Sequence, residues 1–264
     1  KVAVVDKTAK KVEDYTLPFT SSQRDDIFKK AVYAELSHAR QPTGADPKAG
    51  RRHSVEMSKR RRDYRGSYGR SASRTPRKVM WRRGRQMRFV GAFVAYAVGG
   101  RKAHPPKPEK NLLKDINNKE WLKAFMTGIS SAFDAEQIKQ NGQRLPSSYP
   151  FVLDDSVEQI TKTKEARDFL EQLGFKEELD RVEQRKIRAG KGTMRNRRYR
   201  TKRGPLLVVS SLDAPLFKAA KNIRGVEVLT PEYLLVSDFG MSEKPGRAVL
   251  FTKGALNEVS EVVE

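Results

Sequence analysis

The stretch Gly204-Pro205-Leu206-Leu207-Val208-Val209 decides the fold, because Pro205 to Val209 is apolar at every position. A strand with one wet face alternates apolar and polar side chains. A continuous apolar run is covered on both faces, the mark of a central parallel strand. Working outward, Asp213 to Asn222 reads as a helix capped near Ser211, and Val226 to Leu229 as the next strand. Ala248 to Thr252 is a further strand and Gly254 to Val263 a helix. Upstream, Thr163 to Leu173 is helical and stops at Gly174, a C-cap residue. Glu177 to Lys186 reads as another helix, and Pro150 to Asp154 as a short buried strand.

The N-terminal third continues the alternation. Val2 to Val5 is a β-branched strand, and Asp14 to Pro18 is a second strand ending at proline. Arg24 to Arg40 carries Ile27, Ala31 and Ala34 at helical spacing, with Ser21 or Ser22 as cap. A helix from Asn117 or Asn118 places Trp121, Leu122, Phe125, Met126, Ile129 and Phe133 on one face. Such aromatics at helical spacing are core before they are binding residues. The expected fold is α/β: a mostly parallel central sheet with helices on both faces, plus a long extended internal loop. Residues 1–40 and 111–264 form the expected globular domain, and 41–110 the inserted loop.

The charge locates the function. The chain has 264 residues, with 54 Lys and Arg against 32 Asp and Glu, a net charge of +22. Residues 40–110 hold 21 basic and 4 acidic residues, and residues 181–203 hold 11 and 1. These segments carry +17 and +10, so the remainder is mildly acidic at −5. A basic excess concentrated in two attachments points to a polyanionic partner. There is no cysteine, which excludes disulfides and thiolate zinc sites and is compatible with a reducing compartment. No apolar run approaches 18 residues and Lys1 to Asp6 has no apolar signal core, so neither a membrane span nor a secretory route is expected.

Residues 41–110 show no helical stripe, and they are interrupted by glycines and by prolines at 42, 47, 76, 105, 106 and 108. Disorder alone would leave few aromatics, yet Tyr64, Tyr68, Trp81, Phe89, Phe93 and Tyr96 fall here. Arginine well outnumbers lysine, and a guanidinium forks onto phosphate and stacks on bases where an ammonium acts as a point charge. Basic groups, interleaved aromatics and glycines together describe an arm that orders when RNA surrounds it. The apolar stretch Phe89 to Val98 reads equally as a core strand or as an RNA-facing or protein-facing element. Trp81 reads as base-stacking or as packed on the arm. The second basic run has few apolar residues and reads as a loop leading into Leu206, clamping RNA at one edge of the domain.

Several runs resemble one family. Trp81-Arg82-Arg83-Gly84-Arg85, Val98-Gly99-Gly100-Arg101-Lys102-Ala103-His104-Pro105-Pro106-Lys107 and Gln41-Pro42-Thr43-Gly44-Ala45-Asp46-Pro47 are similar to the archaeal form of the large-subunit ribosomal protein family numbered four. So are Ile187-Arg188-Ala189-Gly190-Lys191-Gly192-Thr193-Met194-Arg195-Asn196-Arg197-Arg198-Tyr199, the strand that follows it, and Pro245-Gly246-Arg247. The resemblance runs in order over nearly the whole chain. It implies a structural constituent of the large subunit in the cytoplasmic ribosome that binds large-subunit ribosomal RNA and supports assembly. It also implies an internal arm reaching the nascent-peptide exit tunnel beside a neighbouring ribosomal protein. The Arg-rich run Lys59 to Arg65 and the long apolar stretch depart from the family pattern, so the arm tip is bracketed only at about residues 62 to 80.

The RNA-binding candidates in the arm are Arg51, Arg52, Lys59, Arg60, Arg61, Arg62, Arg65, Arg70, Arg74, Arg77, Lys78, Trp81, Arg82, Arg83, Arg85, Arg88, Arg101, Lys102 and His104. In the second run they are Arg188, Lys191, Arg195, Arg197, Arg198, Tyr199, Arg200, Lys202 and Arg203. A charge run is usually a solvated face, but one acid in 23 residues is poorly balanced for that role. Catalytic signals are weak. His38, His53 and His104 are far apart, and His53 with Glu56 does not make a metal site. Gly190-Lys191-Gly192-Thr193 fails the phosphate-loop pattern, with Arg185 at its first glycine position and Gly192 where Ser or Thr is needed. No nucleotide-binding glycine pattern follows the first strand, and no G-x-S-x-G elbow occurs. The adjacent pairs Asp25-Asp26, Asp154-Asp155 and Glu177-Glu178 point their carboxylates apart. No enzyme activity, cofactor, metal or small-molecule substrate is expected. A nucleic-acid-processing enzyme with a basic arm would need acids or histidines clustered near the basic runs. A histone-like packager would not need so long an α/β body.

Overall fold

The computed structural model describes residues 1–17, 23–55, 57, 60–62, 73–84 and 86–263. The chain forms two compact units, one of residues 1–39 and 113–264 and one of residues 40–112.

In the first unit, β1 (Val2–Val5) pairs antiparallel with β2 (Lys11–Tyr15). Helix α1 is Asp25–His38. After the second unit come α2 (Asn118–Ala132), α3 (Ala135–Gln140) and β5 (Phe151–Leu153). Next are α4 (Thr163–Leu170), a π-type turn at Glu171–Phe175, and α5 (Lys176–Glu183). The chain then forms β6 (Lys186–Ile187), β7 (Tyr199–Arg200), β8 (Leu206–Val208), α6 (Pro215–Lys221), β9 (Glu227–Leu229), β10 (Val249–Phe251) and α7 (Lys253–Val263). The numbers β3 and β4 belong to the second unit.

The strands make two three-stranded sheets, in the orders β2-β1-β5 and β10-β8-β9. Within these two sheets all pairs except β1–β2 are parallel. The expected single central sheet is therefore drawn as two small sheets within an α/β unit, with one isolated parallel bridge between Leu153 and Thr252. Alternation along the strands sorts their side chains into two cores. Val5, Phe151, Leu153, Leu207, Val209 and Leu250 join one core, with Phe169, Leu170, Leu179 and Leu216 from α4, α5 and α6. Val4, Val152, Leu206, Val208, Val249 and Phe251 join the other, with Phe28, Phe125, Ile129 and Leu256 from α1, α2 and α7. Both faces are buried, which is why Leu206 to Val209 is apolar throughout.

Small residues also set the packing. The stripe of α2 that faces inward is Trp121, Ala124, Phe125, Gly128, Ile129 and Ala132, at i, i+3, i+4 spacing. Leu122, expected on that face, is exposed. A Cβ at Gly128 would lie 3.0 Å from the ring of Phe239, so glycine lets that ring approach the helix. The helical pattern through Leu173 ends at Gly174, whose φ of 93° is the left-handed conformation that glycine adopts without strain. The second strand sits at Lys11–Tyr15, three residues before its expected start. The N-cap of α1 is Arg24; Ser21 and Ser22 lie outside the described residues.

The second unit is not a bare loop. Strands β3 (Arg77–Arg83) and β4 (Gln86–Gly91) form an antiparallel hairpin. Arg52 pairs with Asp46 at 2.7 Å, and the Arg51 guanidinium lies 5.8 Å from the ring centre of Phe93. Thr75 and Tyr96 share a hydroxyl hydrogen bond of 3.1 Å. The apolar stretch Phe89 to Val98 is thus the end of this hairpin and the turns after it, with Ala92 buried and Val98 fully exposed.

Candidate nucleic-acid interface

The second basic run folds as a small hairpin and not as an open loop. Lys186 faces Arg200 and Ile187 faces Tyr199, with a 3-10 turn at Gly190–Arg195 between the strands. Arg188 N–H donates to Arg198 O at 2.7 Å, and Arg188 Nε donates to Arg197 O at 3.1 Å. The Arg185 guanidinium stacks on Tyr199, 3.8 Å from the ring centre, and that of Arg198 lies 5.7 Å away. Cation–π contact holds these heads in place without using up their charge. Lys191, Arg195, Arg197 and Arg200 are exposed, and their side chains make no ion pair or hydrogen bond among the described residues. Lys202 is half-buried and also makes neither.

The roots of this hairpin are fixed by arginines bound to carboxylates and carbonyls of the body. Arg181 forms a bidentate pair with buried Glu178 at 2.6 and 2.7 Å, and donates to Arg203 O at 2.7 Å. Arg224 donates to Glu183 O at 3.1 Å. Arg247, fully buried, donates from Nε to Gly204 O at 2.8 Å and from Nη1 to Glu227 at 2.6 Å. Arg203 turns toward the body, 3.5 Å from Glu227 and 3.9 Å from Asp238, and donates to Ser237 O. Burial pushes the Asp238 carboxyl up and lowers the Arg247 guanidinium from its usual range, against the attraction of Glu227. Positive charge counted in the sequence thus divides into structural arginines at the roots and free cations at the exposed end. Arg224 and Arg247 as anchors are not legible from spacing, because their acceptors are distant carbonyls and acids; Arg181 has its acid three residues back in α5, and only its Arg203 carbonyl is distant.

In the second unit, Arg51, Arg52, Arg60, Arg61, Arg62, Arg74, Trp81, Arg82, Arg83, Arg88, Lys102 and His104 are exposed. Arg77, Lys78 and Arg101 are half-buried. Arg77 is engaged internally, 2.8 Å from Ser73 Oγ and stacked 5.2 Å from Phe89. Lys59, Arg65, Arg70 and Arg85 lie outside the described residues, as does Glu56, the suggested neighbour of His53. The hairpin brings Lys78, Trp81, Arg82, Arg83 and Arg88 together, while Arg51, Arg52 and Arg101 belong to the turns around it. His38, at the end of α1, lies 3.8 Å from Asp115. Among the described residues no group of three or more His, Cys, Asp or Glu is arranged to hold a metal ion. No described helix is long and apolar enough to cross a membrane.

Comparison with known proteins bears on these surfaces. Residues 16–262 match the ribosomal protein L4/L1 family. The large ribosomal subunit protein uL4 of Nanoarchaeum equitans is 40% identical over 263 residues, covering 99% of this chain and 98% of that one. The protein of the same name from Saccharolobus islandicus strain M.14.25 is 33% identical, covering 98% and 93%. That from Sulfolobus acidocaldarius is 34% identical, covering 97% and 92%.

Proposed function

The chain belongs to the ribosomal protein L4/L1 family, and from that membership we propose that it binds large-subunit ribosomal RNA through its two basic segments. It is a structural constituent of the large ribosomal subunit, of archaeal type, working in the cytoplasmic ribosome and not as an enzyme. The observation that carries the RNA reading is the segregation of charge. Body cations such as Lys30, Arg167 and Lys253 pair with acids, while the exposed ends of both basic segments hold cations with few acids near them. Each phosphate these cations neutralise releases condensed counterions. A-form RNA is met mainly at its phosphates and 2′-hydroxyls, which suits arginine forks carried on hairpins.

In this reading residues 41–110 are an extended loop inserted in a globular domain of residues 1–40 and 111–264. The loop threads ribosomal RNA, supports subunit assembly, and helps line the nascent-peptide exit tunnel near its tip, at about residues 62 to 80. Its partners are ribosomal RNA, neighbouring large-subunit proteins and the nascent peptide, with no membrane or small-molecule substrate. The two small sheets act as one mostly parallel sheet with helices on both faces, a reading supported by the Leu153–Thr252 bridge and the two shared cores. The test is sedimentation of high-salt-washed ribosomes. The protein co-migrates with the large subunit, and cross-links from both basic segments fall on large-subunit RNA. Loss of the protein from washed large subunits would overturn the proposal.

A further inference from the structure

The β3–β4 hairpin has two chemically different faces, and a one-residue bulge decides which face holds Trp81. Val79 pairs with Phe89 and Trp81 pairs with Arg88, so Met80 is an extra residue in β3. In an unbroken ladder, Trp81 would share the face of Val79 and Phe89, because side chains alternate with period two. The bulge moves it to the other face. There it joins Lys78 and Val90, its cross-strand partner Arg88, and Arg83. Bulges re-aim side chains in this way.

The two faces differ in how far they satisfy themselves. On the Phe89 face, Arg77 is stacked on the ring and hydrogen-bonded to Ser73. On the Trp81 face, the side chains of Lys78, Arg83 and Arg88 make no ion pair or hydrogen bond among the described residues. Trp81 itself is 49% exposed. A half-exposed indole ringed by three free cations suits a π-face that brings phosphates with it. An apolar or mixed protein surface would leave those cations without acids. Duplex RNA keeps its bases stacked inside, whereas an unpaired nucleotide offers both a free face and a backbone.

We propose that the Trp81 face of this hairpin is a stacking site for an unpaired RNA nucleotide, with Trp81 under the base and Lys78, Arg83 and Arg88 on the flanking phosphates. The proposal rests on the RNA-binding reading above and names the class of RNA that this face takes. Purine and pyrimidine both fit, since stacking needs only a ring face.

The experiment uses the full chain at one fixed salt concentration, with two probes: a single-stranded oligoadenylate of about 12 nucleotides and a blunt RNA duplex of the same length. Trp81→Ala weakens single-strand binding roughly tenfold and duplex binding by less than about twofold. Trp81→Phe restores most of the single-strand affinity, since a ring remains. Deleting Met80 removes the extra residue but leaves Trp81 next to Val79, so by ordinary alternation the indole stays opposite Arg88 on the same face and single-strand binding is retained. Single strands also quench indole emission in the parent protein and not in Trp81→Phe, whose remaining tryptophan is Trp121. The outcomes separate the two readings. If the parent binds neither probe, the RNA-binding reading itself falls. If Arg83→Ala with Arg88→Ala weakens both probes while Trp81→Ala changes both equally or neither, RNA binding stands and the stacking site is overturned. Emission from Trp81 unmoved by single strands would likewise overturn it and turn the ring toward a protein neighbour.

Discussion

Ser37 Oγ accepts a hydrogen bond from the backbone N–H of Lys114 at 2.9 Å, across 77 positions of sequence. The same hydroxyl donates to Ala34 O at 2.7 Å in the last turn of α1. The chain therefore leaves the body at the end of α1 and re-enters it beside its point of departure. Lys114 Nζ over the ring of Tyr33, at 5.4 Å, fixes the same junction. A long excursion closed in this way costs the body little, since loop-closure entropy grows only with the logarithm of length.

Ser37→Ala removes the acceptor and leaves the Lys114 amide without its partner. The expected loss is about 1 kcal/mol, read from the urea midpoint at unchanged slope. Hydrogen exchange at Lys114 rises selectively. Unchanged protection there would show that the junction is held by something else.

Because the ends meet, residues 41–111 can be replaced by a short Gly-Ser linker. The remaining body is expected to unfold in one cooperative transition, since both cores are built from residues outside the excised segment. Its RNA affinity falls sharply at matched salt. A body that fails to fold would show that the second unit contributes to the core.

Root and end arginines of the second hairpin have separable effects. Replacing Arg195, Arg197 and Arg200 together by alanine lowers the slope of log affinity against log salt by about 2 to 3, with stability nearly unchanged. Arg181→Ala instead leaves Glu178 buried without its cation and costs about 3 kcal/mol or more. Titrations at several salt concentrations and denaturant melts distinguish the two; a stability loss in the triple variant would contradict the division.

Glu227→Ala deprives fully buried Arg247 of its carboxylate. The cost is placed near the lower end of the range for a broken buried pair, about 3 kcal/mol, because Glu227 is partly exposed. Glu227→Gln keeps an acceptor for Arg247 and recovers part of it. Equal melting temperatures for the parent and Glu227→Ala would refute the role of this pair.

Hydrogen bonds from Arg24, at 2.8 and 2.9 Å, hold the Asp26 carboxyl down at about 2. A carboxyl lowered in the folded state adds stability that is present above its ordinary value of 3.8 and is lost as pH falls toward about 2. Asp26→Asn is therefore expected to flatten the decline of stability across that window and to change nothing in the slope above pH 5. An identical slope in both proteins below pH 4 would reject the coupling.

Much of the body is legible in the sequence because its signals are local. Leu206 to Val209 shows its double burial by composition alone, and Gly174 marks its helix end because only glycine adopts that backbone angle cheaply. Helix α3 and the extent of β2 are less legible: α3 has six residues, of which only Ile138 is fully buried, and β2 is mostly exposed, so neither has a strong period. The inward stripe of α2 is partly hidden because Gly128 and Ala132 serve the core by being small. The β3–β4 hairpin escapes pattern reading because its bulge breaks the alternation that announces a strand.

The sequence by itself determined the mixed α/β class of the body, the place of both basic segments and the excess positive charge they carry. Hydrophobic period and net charge are properties of neighbours along the chain, and they survive without coordinates. Only the tertiary structure decided which cations are free. Arg181, Arg203 and Arg247 look like Arg195 and Arg200 in a list of residues, but acids and backbone carbonyls of the body, most of them far along the chain, hold the first three. Whether an arginine anchors the fold or stays free depends on what lies within about 3 Å of its guanidinium, a distance that packing sets.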